Sequence, residues 1–247
     1  MSILDSDTVL RRAGYALHVM TAAGAVAGML ALQAIIDNRV RDALIWLIVS
    51  QILDGLDGPI ARKLDVEFHA DRIDGWVLDL VVDYLTCVVV PVVLMIQMNL
   101  FPAHYETLIA AAIFLFAALW FARTDLETDD HWFNGFPAVW NLVVPTFIIL
   151  DASSKQVLIF SAILCVSQLT NFKIPHLVRV QRLRIVTLPL AVIYLIALTI
   201  LSWNYGSPTA IQGSGILEFI LLAFPVYIFI YGVVETWFGG YLQYYFD

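Results

Sequence analysis

The sequence predicts an all-α protein, a polytopic integral membrane helical bundle. Hydrophobic residues make up 61% of the 247 residues, and the mean hydropathy of +0.83 is far above that of a soluble domain. Only 14% of the residues are charged. Apolar stretches recur along the chain with short intervals between them, which leaves no room for a sizeable extramembrane domain. We therefore expect one membrane-embedded domain over residues 1–247.

Eight apolar stretches predict up to eight transmembrane helices, since a helix needs ~20 residues to cross a bilayer. The second, fifth and sixth stretches are short, so six to eight spans is the expected range and eight the preferred number. The first stretch is longer than a signal-peptide core and has no clear cleavage site, so we expect it to be retained. The stretches cover residues 13–36, 43–57, 75–98, 105–121, 137–150, 156–170, 185–203 and 215–238.

The charged interval from Pro59 to Asp74 separates the second stretch from the third. Pro59 is expected to bend or end the second helix, and the rest of the interval to lie as a short amphipathic segment on the membrane surface. With eight spans, this interval and both termini share one side. All of the 13 basic residues except Arg39, Arg41 and Lys155 fall on that side, which the positive-inside rule assigns to the cytoplasm.

Four aspartates lie inside or against the apolar runs. Asp54 and Asp57 are three residues apart, and Asp79 and Asp83 are four apart, so each pair projects from one face of a helix. A lone Asp near a helix end is usually a cap. Each ionisable residue in a membrane span costs at least ~2.5 kcal/mol, however, so four at paired spacings indicate a function. Clustered carboxylates stay ionised beside added positive charge, which favours a divalent cation with oxygen ligands.

These aspartates belong to a longer pattern with fixed spacing over residues 54–83. The pattern reads Asp54-x2-Asp57-Gly58-x2-Ala61-Arg62, then Gly75-x3-Asp79-x3-Asp83. It resembles the signature of the CDP-alcohol phosphatidyltransferases, integral membrane enzymes that make phospholipids. The hydrophobic layout of the remaining chain is compatible with that family.

The resemblance implies a role for each residue of the pattern. It implies one or two Mg²⁺ or Mn²⁺ ions at Asp54, Asp57, Asp79 and Asp83. It implies a CDP site at Asp54, Gly58, Ala61, Arg62 and Gly75. Asp83 matches the position that the family is thought to use as the base, which takes the proton from the acceptor hydroxyl. The resemblance also suggests a homodimer.

The acceptor expected from the resemblance is choline. The interval Lys63–Asp74 between Arg62 and Gly75 has twelve residues, more than in most of the family. This length resembles a bacterial branch that joins choline directly to CDP-diacylglycerol, in the inner membrane with the active site toward the cytoplasm. Serine, glycerol 3-phosphate and an inositol remain as alternative acceptors.

A choline site makes its own demand on the sequence, because a trimethylammonium group is recognised by aromatic faces rather than by strong hydrogen bonds. Our first candidates are Tyr84, Trp132 and Trp140. Tyr84 adjoins Asp83, while Trp132 and Trp140 flank the turn at residues 135–137. The basic loop over residues 171–184 is interpreted either as a topological patch that attracts anionic headgroups or as a phosphate contact.

One alternative comes from another functional class: four intramembrane carboxylates also suit a divalent-cation or proton transporter. A path through the membrane would spread its ligands in depth, whereas these cluster toward one face. The net charge of −8 comes largely from aspartates and says little about binding anionic polymers, and nucleic acid is not an expected partner. Cys87 and Cys165 lie in apolar runs and are predicted to be buried free thiols.

Overall fold

The computed structural model describes residues 3–207 and 215–246, which fold mainly into helices. Eight apolar helices follow the order of the predicted stretches. One short surface helix, α3, lies between the second and the third of them. A two-stranded antiparallel sheet, β1–β2, adds to the all-α prediction. The elements are α1 Ile3–Ile36, α2 Val40–Leu64, α3 Val66–His69, α4 Gly75–Gln97, α5 Glu106–Phe121, β1 Trp132–Asn134, α6 Trp140–Ile149, α7 Ser154–Gln168, β2 Lys173–Pro175, α8 Arg184–Trp203 and α9 Gly215–Phe246.

Five helices in the described residues are long and apolar enough to span a membrane, namely α1, α2, α4, α8 and α9. The helices α5, α6 and α7 are shorter, with 16, 10 and 15 residues. At a rise of 1.5 Å per residue, α6 extends about 15 Å, half the ~30 Å hydrocarbon core. All three short helices nevertheless contribute to the main hydrophobic core, together with α1, α2 and α4. The structure therefore agrees with a polytopic helical bundle.

Small residues on α1 allow α4 to approach closely. A Cβ added at Gly24 would lie 2.8 Å from Val82, and one added at Gly28 would lie 3.2 Å from Thr86. A side chain at Gly24 would thus force the two helices apart. The close approach fixes the height of the two α4 aspartates beside α1.

A π-helical turn over Tyr84–Val89 interrupts α4 directly after Asp83. Pro91 begins the following turn and has no N–H to donate to the carbonyl four residues earlier. The amide of Val90 donates to the Leu85 carbonyl, five residues back. Wide turns of this kind are frequent at functional sites.

The second helix runs past Pro59 to Leu64, beyond the predicted end at residue 57. A proline removes one hydrogen bond from a helix, and here it does not end α2. Asp65 ends the helix in a left-handed conformation (φ 49°). The surface helix α3 follows and buries Val66 against α1, while Phe68 stays exposed. The interval thus holds the short amphipathic segment that the sequence predicted.

Contacts between loops agree with the predicted alternation of sides. The strands β1 and β2 lie in the α5–α6 and α7–α8 connections and pair with each other. His69, at the end of α3, lies 3.6 Å from Asp7 of α1. At the other end of the bundle, Gln97 donates to Asn38 over 2.6 Å. We call the end that carries α3 and the sheet the signature end.

Candidate active site

Three carboxylates from two helices converge at the signature end. Asp54 and Asp57 lie in the second half of α2, and Asp79 lies one turn into α4. One carboxylate oxygen from each of the three lies within 4.8 Å of the other two. Asp57 is 8% exposed, and the other two are half-buried. The helical spacing brings the α2 pair onto one face, and the packing of α4 adds the third.

No Lys or Arg in the described part of the chain lies within 4.0 Å of these carboxylates. Three ionised carboxylates so close together repel each other, and no cationic side chain among the described residues pairs with them to offset this repulsion. Oxygen donors from Asp suit a hard divalent cation. The donor set and its uncompensated charge therefore fit the metal that the sequence predicted.

Two polar side chains that we did not single out from the sequence hold these carboxylates. The Thr21 hydroxyl of α1 lies 2.8 Å from Asp57 Oδ2, and Gln51 Nε2 donates to Asp54 Oδ2 over 2.8 Å. Thr21 is buried in a largely apolar helix, and Gln51 precedes Asp54 by three residues, on the same helical face. Polar residues on apolar faces were the signal in the sequence that could have found them.

Asp83 is not one of the three carboxylates that lie mutually within 4.8 Å. Its carboxylate lies one turn beyond Asp79 on α4, half-buried at the start of the π turn. The contact of Asp83 Oδ1 with a side chain is to Cys87 Sγ, at 4.0 Å. Cys87 and Cys165 are free and buried, as predicted. The structure thus brings three of the four predicted ligands together and leaves the predicted base beside them.

The predicted CDP residues line the same end of the bundle. Gly58, Ala61 and Arg62 follow the carboxylates on the last turns of α2, and Gly75 is the first residue of α4. A Cβ at Gly58 would lie 3.3 Å from Arg62 Nη1, and one at Gly75 would lie 3.2 Å from the imidazole of His18 on α1. Arg62 is exposed and forms no ion pair within the described residues. Its guanidinium is available to an anionic ligand.

The three choline candidates occupy different environments. Tyr84 is half-buried, donates its hydroxyl to the Phe114 carbonyl over 3.2 Å and contacts Phe121 edge-on. Trp132 is 3% exposed and Trp140 is 0% exposed. Both Trp rings are therefore enclosed by protein side chains in this conformation, and their assignment to choline stays a prediction.

The connections at the signature end also hold a set of charged and titratable side chains that are all paired, which we call the loop network. It consists of Arg123, Asp125, Glu127, His131 and Arg179. Glu127 accepts from Arg179 over 2.8 Å and contacts His131 at 2.7 Å. Arg123 pairs with Asp125 and also donates to the carbonyls of Gln168 and Thr170. These bonds tie the α5–α6 connection to the α7–α8 connection.

The basic residues of the α7–α8 connection are largely engaged in the same way. Lys173 donates to Asn134 over 2.8 Å, and Arg182 pairs with Glu235 of α9 at 3.0 Å. With Arg179 bound to Glu127, three cations of the segment stabilise the fold. The sequence offered membrane or phosphate contact as their roles and did not anticipate these partners.

His176 is the titratable group that connects the loop network with the signature. Burial, followed by the charges of Arg179, Arg62 and His131, lowers the pKa of His176 to about 4. The ring stacks on Phe133 with centroids 5.3 Å apart. Its Nδ1 accepts the Val178 amide at 3.3 Å, which also requires an unprotonated nitrogen. His176 is therefore neutral at pH 7, and Arg62 lies close enough to affect it.

A comparison of the whole chain with known proteins gives a consistent result. The family model for CDP-alcohol phosphatidyltransferase matches residues 16–170, which include every residue of the signature. The chain belongs to this family. Of the two functional classes considered from the sequence, membership supports the enzyme, since the chain is a phosphatidyltransferase.

Relatives at the level of single proteins cover most of the chain. A phosphatidylcholine synthase of Pseudomonas aeruginosa is 31% identical over 236 residues, which are 96% of this chain and 98% of that protein. A phosphatidylcholine synthase of Bradyrhizobium diazoefficiens is 36% identical over 76% of this chain and 70% of its own. One from Borreliella burgdorferi is 29% identical over 89% of this chain and 94% of its own.

Proposed function

We propose that this protein is a phosphatidylcholine synthase, which transfers the phosphatidyl group of CDP-diacylglycerol to choline and releases CMP. The observation that carries the reaction class is the convergence of Asp54, Asp57 and Asp79 within 4.8 Å, inside an intact family signature. Choline as the acceptor is supported by relatives of this name that match nearly the full chain. The long interval Lys63–Asp74 supports it independently.

The carboxylates of the group define the chemistry at the pyrophosphate. Asp54, Asp57 and Asp79 would hold one or two Mg²⁺ or Mn²⁺ ions, with Asp83 at their edge. A divalent ion bound there supplies positive charge for the pyrophosphate and for the CMP leaving group. Without such charge, the carboxylates would repel the substrate phosphates.

We assign the proton transfer to Asp83, which lies one turn beyond Asp79 and outside the group of Asp54, Asp57 and Asp79. The choline hydroxyl oxygen forms a bond to the phosphorus of the phosphatidyl group, and the P–O bond to CMP breaks. The hydroxyl proton passes to the Asp83 carboxylate. Holding both reactants at one site contributes the rest of the rate acceleration through proximity and orientation.

The CDP half of the substrate is assigned to Asp54, Gly58, Ala61, Arg62 and Gly75. Arg62 suits a phosphate contact because its guanidinium is exposed and unpaired within the described residues. A side chain at Gly58 would meet Arg62, and one at Gly75 would meet His18. The diacylglycerol tails enter laterally from the bilayer.

The assay that tests this function measures lipid product from radiolabelled CDP-diacylglycerol and the purified full-length protein in detergent micelles with Mn²⁺. Choline, serine, glycerol 3-phosphate and inositol are supplied in parallel, and we expect phosphatidylcholine and CMP with choline alone. A product from serine or glycerol 3-phosphate, with none from choline, would reject the acceptor and leave the reaction class in place. Absence of any lipid product would reject the function.

We place the protein in the bacterial inner membrane with the signature end toward the cytoplasm, which fits a nucleotide-activated substrate and the distribution of basic residues. Because both native cysteines are buried, a single Cys introduced at exposed Asp65 reports sidedness, and one at Asp37 is the control for the other face. Labelling of Asp65→Cys from outside intact cells would contradict this orientation. A homodimer and a single domain over residues 1–247 stay predictions.

A further inference from the structure

A chain of amide hydrogen bonds runs from α6 to the group of three carboxylates. Asn141 Nδ2 donates to Gln51 Oε1 over 2.8 Å, and Gln51 Nε2 donates to Asp54 Oδ2 over 2.8 Å. Asn141 is 1% exposed, and Gln51 is half-buried. The two residues are separated by 90 positions in the sequence, so tertiary packing of α6 on α2 builds this contact.

The direction of the two bonds is determined by chemistry. A carboxylate accepts hydrogen bonds only, so Gln51 must turn its NH₂ group toward Asp54. The Gln51 carbonyl oxygen then faces Asn141 and accepts a hydrogen bond from the Asn141 NH₂ group. If the Asn141 donor were absent, the Gln51 carbonyl oxygen would lose its hydrogen-bond partner, and Asp54 alone would hold the Gln51 side chain. Rotamers that move the Gln51 NH₂ group away from Asp54 would then become accessible.

We propose that Gln51 and Asn141 act as a relay of positioning residues for the metal site, and that Asn141 acts only through Gln51. The relay occupies Asp54 Oδ2 with an N–H donor and fixes the carboxylate plane, which leaves Oδ1 for a cation. Hydrogen bonds to a ligating group from outside the metal shell typically change metal affinity by about 10–100-fold. The inference deepens the proposed function, since it concerns the same carboxylates.

Trp140, a predicted choline contact, is enclosed by protein with 0% exposure, and its assignment stays a prediction. The adjacent residue, Asn141, is the one whose side chain reaches toward the carboxylates. The N-terminal end of α6 therefore contributes to the site through an amide.

The test is a Mn²⁺ titration of purified full-length protein in detergent, in which free Mn²⁺ is measured by electron paramagnetic resonance. Gln51→Leu and Asn141→Leu are each expected to raise the Kd for Mn²⁺ by about 10-fold or more. The double variant should lose no more than Gln51→Leu alone, because Asn141 has no path to Asp54 once Gln51 is gone. Gln51→Asn, one methylene shorter, carries the same test if the Leu variants fail to fold.

The control is Gln97→Leu, which removes an amide–amide bond of 2.6 Å to Asn38 at the opposite end of the bundle and should leave Mn²⁺ affinity unchanged. Unchanged affinity in Gln51→Leu, additive losses in the double variant, or no Mn²⁺ binding by the wild type would each overturn the relay. The titration contains no lipid substrate. Normal Mn²⁺ results without phosphatidylcholine formation would therefore reject the proposed function and retain the relay.

Discussion

Two groups of charges lie at the signature end, and they are built on opposite principles. In the loop network, the Glu127 carboxylate meets Arg179 and His131, and Arg123 meets Asp125. In the aspartate group, no cationic side chain of the described residues comes within 4.0 Å of Asp54, Asp57 or Asp79. One group is compensated from within the chain, and the other is left for compensation from outside.

The difference separates charges that stabilise the fold from charges that serve the reaction. Paired, half-buried charges hold two connections together and demand no ligand. Unpaired carboxylates held close together destabilise the protein by repulsion and are retained where a cation or substrate needs them. The two groups should therefore respond in opposite ways when a charge is removed.

The largest expected effect is on turnover, when a carboxylate of the aspartate group becomes an amide. Asp79→Asn and Asp83→Asn should each lower kcat by at least about 100-fold, because one removes a metal ligand and the other removes the base. Asp79→Asn should also weaken Mn²⁺ binding, while Asp83→Asn should lose far more rate than affinity. Steady-state assays at saturating substrates, combined with Mn²⁺ titration, separate the two.

Asp79→Asn should leave the fold intact, in contrast to the loss of a paired charge in the loop network. Without metal, Asp79→Asn is expected to unfold at a higher temperature than the wild type, because one of three repelling carboxylates is gone. A clearly lower unfolding temperature would mean that these carboxylates stabilise the fold after all.

Metal removal is the second test. EDTA should abolish turnover reversibly, and Mn²⁺ at about 100 times its Kd should stabilise the wild type by about 2.7 kcal/mol by mass action. Thermal unfolding with and without Mn²⁺ measures this. Asp54→Asn should respond less, and a full response from that variant would place the cation elsewhere.

A smaller effect, on stability alone, is expected in the loop network. Glu127→Gln removes the negative charge of a carboxylate that contacts both Arg179 and His131. The Glu127 side chain is 13% exposed. We expect a loss of about 1–3 kcal/mol in the free energy of unfolding, with an unchanged unfolding shift on addition of Mn²⁺. Asp129→Asn is the matched control, since Asp129 is exposed in the same connection and forms no ion pair within the described residues.

The sequence predicted the aspartate group better than the loop network for a physical reason. The spacing of Asp54 and Asp57 is local, and a helix converts it directly into a shared face. The Glu127–Arg179 pair joins residues 52 positions apart across two strands of three residues, too short to leave a periodic signal. Thr21 was missed because spacing does not reveal which face of α1 meets α2.

The eight apolar stretches were predicted well because hydrophobicity over ~20 residues is a strong signal. The end of α2 was not predicted well, because Pro59 can either bend a helix or end it. Proline disrupts a helix locally, whereas burial of α2 and α3 against α1 continues beyond it. Contacts from outside the helix decided its length.

The smallest expected effect is a pH dependence that arises in the loop network at His176. Burial and the cations around it lower the pKa of His176 to about 4, while an unfolded chain has a His pKa near 6.5. Between these values the unfolded state binds the proton and the folded state does not. Stability contributed by the neutral ring is therefore present above pH 6.5 and is lost as the pH falls toward 4.

His176→Phe isolates this contribution, because Phe retains an aromatic ring against Phe133 and cannot be protonated. Lowering the pH from 7 to 5 should reduce the unfolding temperature of the wild type more than that of the variant. Both proteins contain the same aspartate group, so protonation of those carboxylates cancels in the difference. Equal losses in the two proteins would show that His176 takes up its proton as readily in the folded state. In that case neither burial nor the charges of Arg179 and Arg62 would keep the ring of His176 neutral in the folded protein.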